Sequence, residues 1–209
     1  LIIIIMRIHR TNKLYKFCNV SPGYNPNMKK FYSSTGDDGY KGLLGEGRVP
    51  KYDLRIECVG TIDEATSALG LARSSCKSDK SKKIILEIQK DLYHMMAEVS
   101  ATPENAEKFR WINQSRVLWL ESITNEIGSS IEFPEGFILP GDSTSGAAFA
   151  LARTIVRRAE RMIARLNHQE FLQNEEIPSY LNRLSSLCFV LELFENKAWG
   201  IEQVTLAEK

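Results

Sequence analysis

An all-α fold, a five-helix antiparallel bundle, is what the sequence predicts, and three observations predict it. Apolar residues recur at three- and four-residue spacing in five stretches of fifteen residues or more. The breaks between these stretches are short, and apolar and polar residues almost nowhere alternate as they do in a half-buried strand. At 209 residues the chain suits one domain with its own core.

The first helical pattern, about 53–76, carries Ile56, Val59, Ile62, Leu69 and Leu71, with Asp53 placed as its cap. The second, about 79–100, uses Ile84, Ile85, Ile88, Leu92, Met95, Met96 and Val99 and opens at Ser78 or Asp79. The third, about 113–128, uses Val117, Leu118, Leu120, Ile123 and Ile127. A fourth runs from about Ser143 through "FALARTIVRRAERMIARL" (149–166), and a fifth from about Glu176 to Lys197 with Leu181, Leu184, Leu187, Cys188 and Leu191. Ahead of them, "KKFYSSTGDDGYKGLLGEGRVPKY" holds five glycines between Gly36 and Gly47 and reads as a loop. Residues 1–28, beginning "LIIIIMRIHR", are expected to lie outside the fold, with Met28 as the functional start; 29–200 form the domain and 201–209 a tail.

Charge and cysteine usage exclude several functions. The 27 Lys and Arg nearly cancel the 26 Asp and Glu, so no overall field gathers nucleic acid or anionic lipid, and any anion site is local. The opening apolar run is far below the roughly 20 residues that span a bilayer. Cys18, Cys58, Cys76 and Cys188 form no C-x-x-C pair and do not cluster with His9, His94 or His168. That pattern argues against a zinc site or a disulfide framework and for free thiols in a reducing cytoplasm.

Within the fourth helix, Arg153, Arg157 and Arg161 fall four apart and share one face. No carboxylate follows any of them at i+4, so the row repels itself unless something anionic lies against it. The planar, permanently charged guanidinium suits phosphate oxygens. The plainer alternative is a solvated face with local contacts such as Arg157 with Glu160. Asp63, in "GTIDEATSALG", is either exposed or paired with a cation such as the stripe supplies.

The glycine-rich loop offers hydroxyls and permissive backbone to a phosphate, but it is not G-x-x-x-x-G-K-[ST], and spacing alone favours an exposed turn. Asn182 and Arg183 interrupt the apolar fifth helix, and an interhelix hydrogen bond is the commoner use of such an amide. Phe133 and Phe137, in "FPEGFILPGD", are expected to plug the bundle more readily than to face a flat ligand.

Five segments together, "YSSTGDDGYKGLLGEGRVPKYD", "VGTIDEATSALGLA", "SRVLWLESIT", "FILPGDSTSGAAFALARTIVRRAER" and "YLNRLSS", resemble the PduO-type ATP:cob(I)alamin adenosyltransferases in order and over nearly all of 29–200. The resemblance implies a homotrimer with active sites between subunits, and transfer of the 5′-deoxyadenosyl group of ATP to the cobalt of cob(I)alamin. It implies that Ser33, Ser34, Thr35 and Gly36, with Lys41 and Lys51, wrap ATP, while Arg157, Arg158, Glu160, Arg161 and Asn182 of the adjoining subunit complete the nucleotide site. It further implies that Asp63 and Arg153 pair across the interface near the corrinoid, and that Phe137 displaces the corrinoid's lower axial ligand. Mg²⁺ accompanies ATP, and a corrinoid reductase and an adenosylcobalamin-dependent enzyme are the implied partners.

The chain departs from the family pattern in two places. Ser186 stands where N-R-L-S-D has its aspartate, and Glu46 separates two glycines that are commonly adjacent. Sequence does not choose metal ligands, although Asp37 and Asp38 are available. A delivery or sensor protein for adenosylcobalamin on the same fold is the alternative function.

Overall fold

The computed structural model describes residues 32–169 and 171–208. It divides into two units, one ending at Thr35 and one running from Gly36 to the C-terminus. The expected extension at 1–28 lies outside the described residues. Of the first unit, Tyr32, Ser33, Ser34 and Thr35 are described and exposed; the Thr35 N–H donates to Ser33 Oγ at 3.3 Å and the two hydroxyls lie 2.5 Å apart.

The second unit begins not with an unstructured loop but with a hairpin, β1 (Tyr40–Gly42) against antiparallel β2 (Arg48–Pro50), with Lys41 opposite Val49. Three-residue strands are too short to show alternation, so the glycines masked them. Then come α1 (Leu54–Ser75), α2 (Asp79–Ser100), the one-turn α3 (Pro103–Ala106), α4 (Gln114–Gly128), α5 (Thr144–His168) and α6 (Glu176–Ala198). Among the described residues there are thus six α-helices, five of them long. Pro103 at the first turn starts α3 inside a stretch without apolar periodicity.

The caps explain where the long helices begin. Asp53 accepts from the Arg55 N–H, Ser78 from Ser81, Asn113 from Arg116 and Ser143 from Gly146, each satisfying an orphan donor of the first turn. The loop glycines serve the hairpin: Gly45 (φ +144°) and Gly47 (φ +107°) flank Glu46, which points to solvent. A Cβ on Gly45 would also collide with Thr102. Both positions that need glycine keep it, so Glu46 is accommodated without strain.

α1 packs against α2 and α5, α5 against α6, and α6 against α4. Ile62, Leu69, Ile85, Ile88, Leu92, Phe149, Val156, Ile163, Leu184 and Leu191 are wholly buried along these seams. Each contributes about 1.5–3 kcal/mol of transfer free energy. At one end, Glu195 of α6 accepts from the N–H groups of Lys77 and Ser78 (2.8 and 3.2 Å) and from the Ser145 hydroxyl (3.2 Å). That single buried carboxylate ties together the end of α1 and the starts of α2 and α5. At the opposite end, Arg55 donates to the Ala101 carbonyl at 2.7 Å, and the hairpin tip docks through Leu44 on Ser100 and Thr102. Through Glu195, α1 ends where α2 starts and α6 ends where α5 starts, so each of these pairs runs antiparallel. In the middle, buried Asp91 is fully engaged by Trp111, Arg116 and Tyr180. Among the described residues no helix is long and apolar enough to cross a membrane.

Candidate functional site

The hairpin brings two cations together. Lys41 stands opposite Val49, Lys51 follows directly on β2 with its N–H donating to the Gly39 carbonyl at 2.9 Å, and the Lys51 side chain lies across Gly36, where an added Cβ would stand 3.2 Å from its Cε. Burial and the charge of Lys51 both push the Lys41 ammonium below its ordinary value. Two like charges held this close are relieved by an anion. Asp38 is not available to spoil them. It accepts two bonds from Arg48 (2.7 and 2.8 Å), which holds its carboxyl below the usual range, while Asp37 is exposed.

The arginine stripe lies on the outer face of α5. Ala152, Val156, Ala159 and Ile163 face the core, Arg157, Arg158 and Arg161 face outward, and Arg153 is half-buried. Arg158 is ion-paired with Glu64 of α1, a link across helices that spacing within α5 could not reveal. Arg157 and Arg161 make no ion pair among the described residues. Arg153 buries its Nε without an acceptor, and Asp63, half-buried on α1, does not pair with it inside the chain. Beside Arg153 on α6 sit Cys188 and Glu192. Burial raises the Cys188 thiol to about 12 and the Glu192 carboxyl to about 7, with the guanidinium pulling against both shifts and Asp142 adding to the second.

Asn182 makes the expected interhelix bond: its Nδ2 donates to Glu160 Oε1 at 2.8 Å. Its Oδ1 accepts from Arg183 Nη1 at 2.8 Å, and Arg183 Nε donates to Glu121 Oε1 of α4 at 2.7 Å. Four residues on three helices form one polar chain. Glu121, 62 residues from Arg183 in sequence, carried no signal in the sequence pattern. Ser186 is exposed one turn further along α6, with its hydroxyl facing the Asn182 carbonyl at 3.5 Å.

Phe137 does not plug the bundle; it is 74% exposed, and Phe133 is 54% exposed. The reason is a backbone clamp. Ala207 N–H donates to the Phe137 carbonyl and Leu139 N–H to the Thr205 carbonyl, both at 2.8 Å, while Ile138 turns inward and bridges Leu206. With Ile138 inward, its neighbours Phe137 and Leu139 face out. Residues 129–135 and 200–206 line an open cavity of about 1100 Å³ beside this clamp. No group of three or more His, Cys, Asp or Glu that could hold a metal occurs among the described residues.

The structure therefore joins Lys41 with Lys51 and Gly36, and Asn182 with Glu160. Asp63 and Arg153 form no ion pair within one chain, and Phe137 precedes the start of α5, at the end of the helices opposite the Ser100–Thr102 stretch on which the hairpin docks. Glu121, Glu192 and the clamp are what sequence reasoning missed.

Comparison with known proteins places these features in a family. The family model described as cobalamin adenosyltransferase matches residues 31–195. The corrinoid adenosyltransferase of Bacillus subtilis (strain 168) is 35% identical over 179 residues, covering 84% of this chain and 91% of that protein. The corrinoid adenosyltransferase of Mycobacterium tuberculosis is 37% identical over 177 residues, covering 81% of this chain and 90% of that protein. Among solved structures, a phenylalanine-to-alanine variant of the PduO-type ATP:corrinoid adenosyltransferase from Lactobacillus reuteri, complexed with cobalamin and ATP, superposes with a TM-score of 0.77 at 28% identity over 86% of this chain and all of that one. An arginine-to-lysine variant of the same enzyme, complexed with ATP, gives 0.77 at 27% identity. With the match spanning the hairpin, the arginine stripe and most of α6, the chain belongs to the cobalamin adenosyltransferase family.

Proposed function

We propose that this protein transfers the 5′-deoxyadenosyl group of ATP to the cobalt of reduced cob(I)alamin, releasing triphosphate. The observation that carries the reading is the arrangement of Arg157 and Arg161, outward-facing guanidiniums without ion pairs among the described residues, in a family member whose chain also crowds Lys41 against Lys51 beside the hairpin. Both sets of cations want the same ligand, a polyphosphate.

In this reading the cobalt attacks C5′ of ATP, a cobalt–carbon bond forms, and the bond to the triphosphate oxygen breaks with its electron pair. The protein supplies neither nucleophile nor base. Arg157, Arg161 and Lys41 with Lys51 stabilise the charge that gathers on the leaving triphosphate, as preorganised donors do. Ser33, Ser34, Thr35 and Gly36 hold phosphate oxygens from the N-terminal loop, and Arg158, Glu160 and Asn182 orient the nucleoside. Mg²⁺ carried by the triphosphate would help neutralise the charge of the leaving group. With Asp38 already engaged by Arg48, its exposed neighbour Asp37 would be the carboxylate of the S-S-T-G-D-D stretch to meet it.

The active site is completed in a homotrimer of five-long-helix bundles, the loop of one subunit facing the stripe of the next. The Arg153 Nε, buried with no acceptor among the described residues, and the half-buried Asp63 support this assembly, in which the two pair across the interface. Phe137, exposed on a fixed backbone, is presented to the lower face of the corrin ring, where an apolar ring displaces the axial ligand. The three described cysteines, all buried and free, suit a reducing compartment, the cytoplasm.

Incubation with ATP, Mg²⁺ and chemically reduced cobalamin tests the reading. The visible spectrum should move to that of adenosylcobalamin as triphosphate appears. Nucleotide binding without a spectral change would replace the transferase with a delivery or sensor protein.

A further inference from the structure

We infer that Glu121 and Arg183 are positioning residues of the nucleotide site, acting through Asn182; the inference rests on the assignment of Asn182 and Glu160 to ATP. A primary amide has two faces that differ in polarity, and an asparagine side chain can turn over to exchange them. Here both faces are specified. Arg183 can only donate, so its Nη1 requires the Asn182 oxygen; Glu160 accepts, so its Oε1 requires the Asn182 nitrogen. That leaves one N–H of Nδ2 and one oxygen lone pair for a ligand, in a fixed order.

Arg183 is adjacent to Asn182 in sequence and would swing freely without an anchor. Glu121 provides it, accepting from Nε at 2.7 Å and leaving Nη1 to reach Asn182. The Arg183 and Glu121 side chains are 43% and 37% exposed, so their ion pair contributes little to stability. α4 and α6 are already held together by Val117, Leu120, Leu184 and Leu187, all buried. What the pair contributes is orientation: it sets which edge of the carboxamide faces the base or ribose, and through Asn182 it fixes the rotamer of Glu160.

Calorimetric ATP binding and steady-state kinetics on the full chain test this. Glu121→Ala and Arg183→Met should each weaken ATP affinity about three- to tenfold and raise KM for ATP by the same factor. KM for cobalamin and the melting temperature should hold at wild-type values. Glu121→Gln should recover most of the loss, because its amide oxygen still accepts from Nε. In a double-mutant cycle, Arg183→Met on an Asn182→Ala background should cost nothing further. Additive losses, or equal losses toward both substrates with a lowered melting temperature, would overturn the positioning role. If Asn182→Ala itself left ATP affinity unchanged, the nucleotide assignment would be what fails.

Discussion

Thr205 closes a two-point clamp on Asp142: its backbone N–H donates to Oδ2 at 3.0 Å and its hydroxyl to Oδ1 at 2.7 Å. Together with the Ala207 bond to the Phe137 carbonyl, the clamp fixes the backbone that carries the exposed ring. Thr205→Val removes one exposed hydrogen bond, about 0.5–1.5 kcal/mol, and should loosen that backbone. Steady-state kinetics should show KM for cobalamin rising while KM for ATP holds, with Thr205→Ser restoring the wild-type value.

Phe137 itself contributes little to the fold, being largely in solvent. Phe137→Ala should therefore leave the melting temperature and ATP affinity unchanged while slowing adenosylation, if the ring has the role proposed for it in displacing the axial ligand. Wild-type turnover of cobalamin by this variant would remove the ring from the mechanism.

Arg157→Ala deletes an outward guanidinium that supports no described contact, so the protomer should fold as before. Its loss should appear in kcat/KM for ATP, equivalent to about 1.5–3 kcal/mol for a charge-assisted bond in a site closed to water. Unaltered ATP kinetics would return the stripe to an ordinary solvated face.

These residues show what sequence could and could not supply. The five long helices were legible because their apolar positions repeat with the helix period, and Asp53, Ser78 and Ser143 cap where local chemistry says they should. Asn182 was legible as an interhelix bond because an amide in an apolar helix must find a partner. Arg158 with Glu64 and Arg183 with Glu121 were not, since each pair joins different helices and only packing brings them together. Phe137 was misjudged as a plug because hydrophobicity alone does not say which way a clamped backbone turns its side chains.

Lys41 offers a proton-linked test of the lysine pair. In the free protein, burial and Lys51 depress its pKa below 10.5. A triphosphate laid against it favours the charged form and raises the pKa again, so binding takes up protons at alkaline pH. Calorimetry in two buffers of different ionisation enthalpy should detect this uptake. Lys51→Gln should reduce it, because Lys41 then starts nearer its ordinary value.

Glu192 gives the fold its own pH dependence. It is 2% exposed, and burial raises its pKa from 4.5 to about 7 against the pull of Arg153. Between these values the native state holds a proton that the unfolded chain has lost, so ∂ΔG_unfold/∂pH is negative and this group removes stability as pH rises. The full shift corresponds to at most about 3 kcal/mol. Glu192→Gln keeps the shape without the ionisation. Its melting temperature relative to wild type should therefore be lowest near pH 4.5 and should climb steadily to about pH 7.5 before levelling. A difference that stayed flat across that range would mean that Arg153 fully neutralises the buried carboxylate, and that the guanidinium is already committed within its own chain, against the proposed pairing with Asp63 of another subunit.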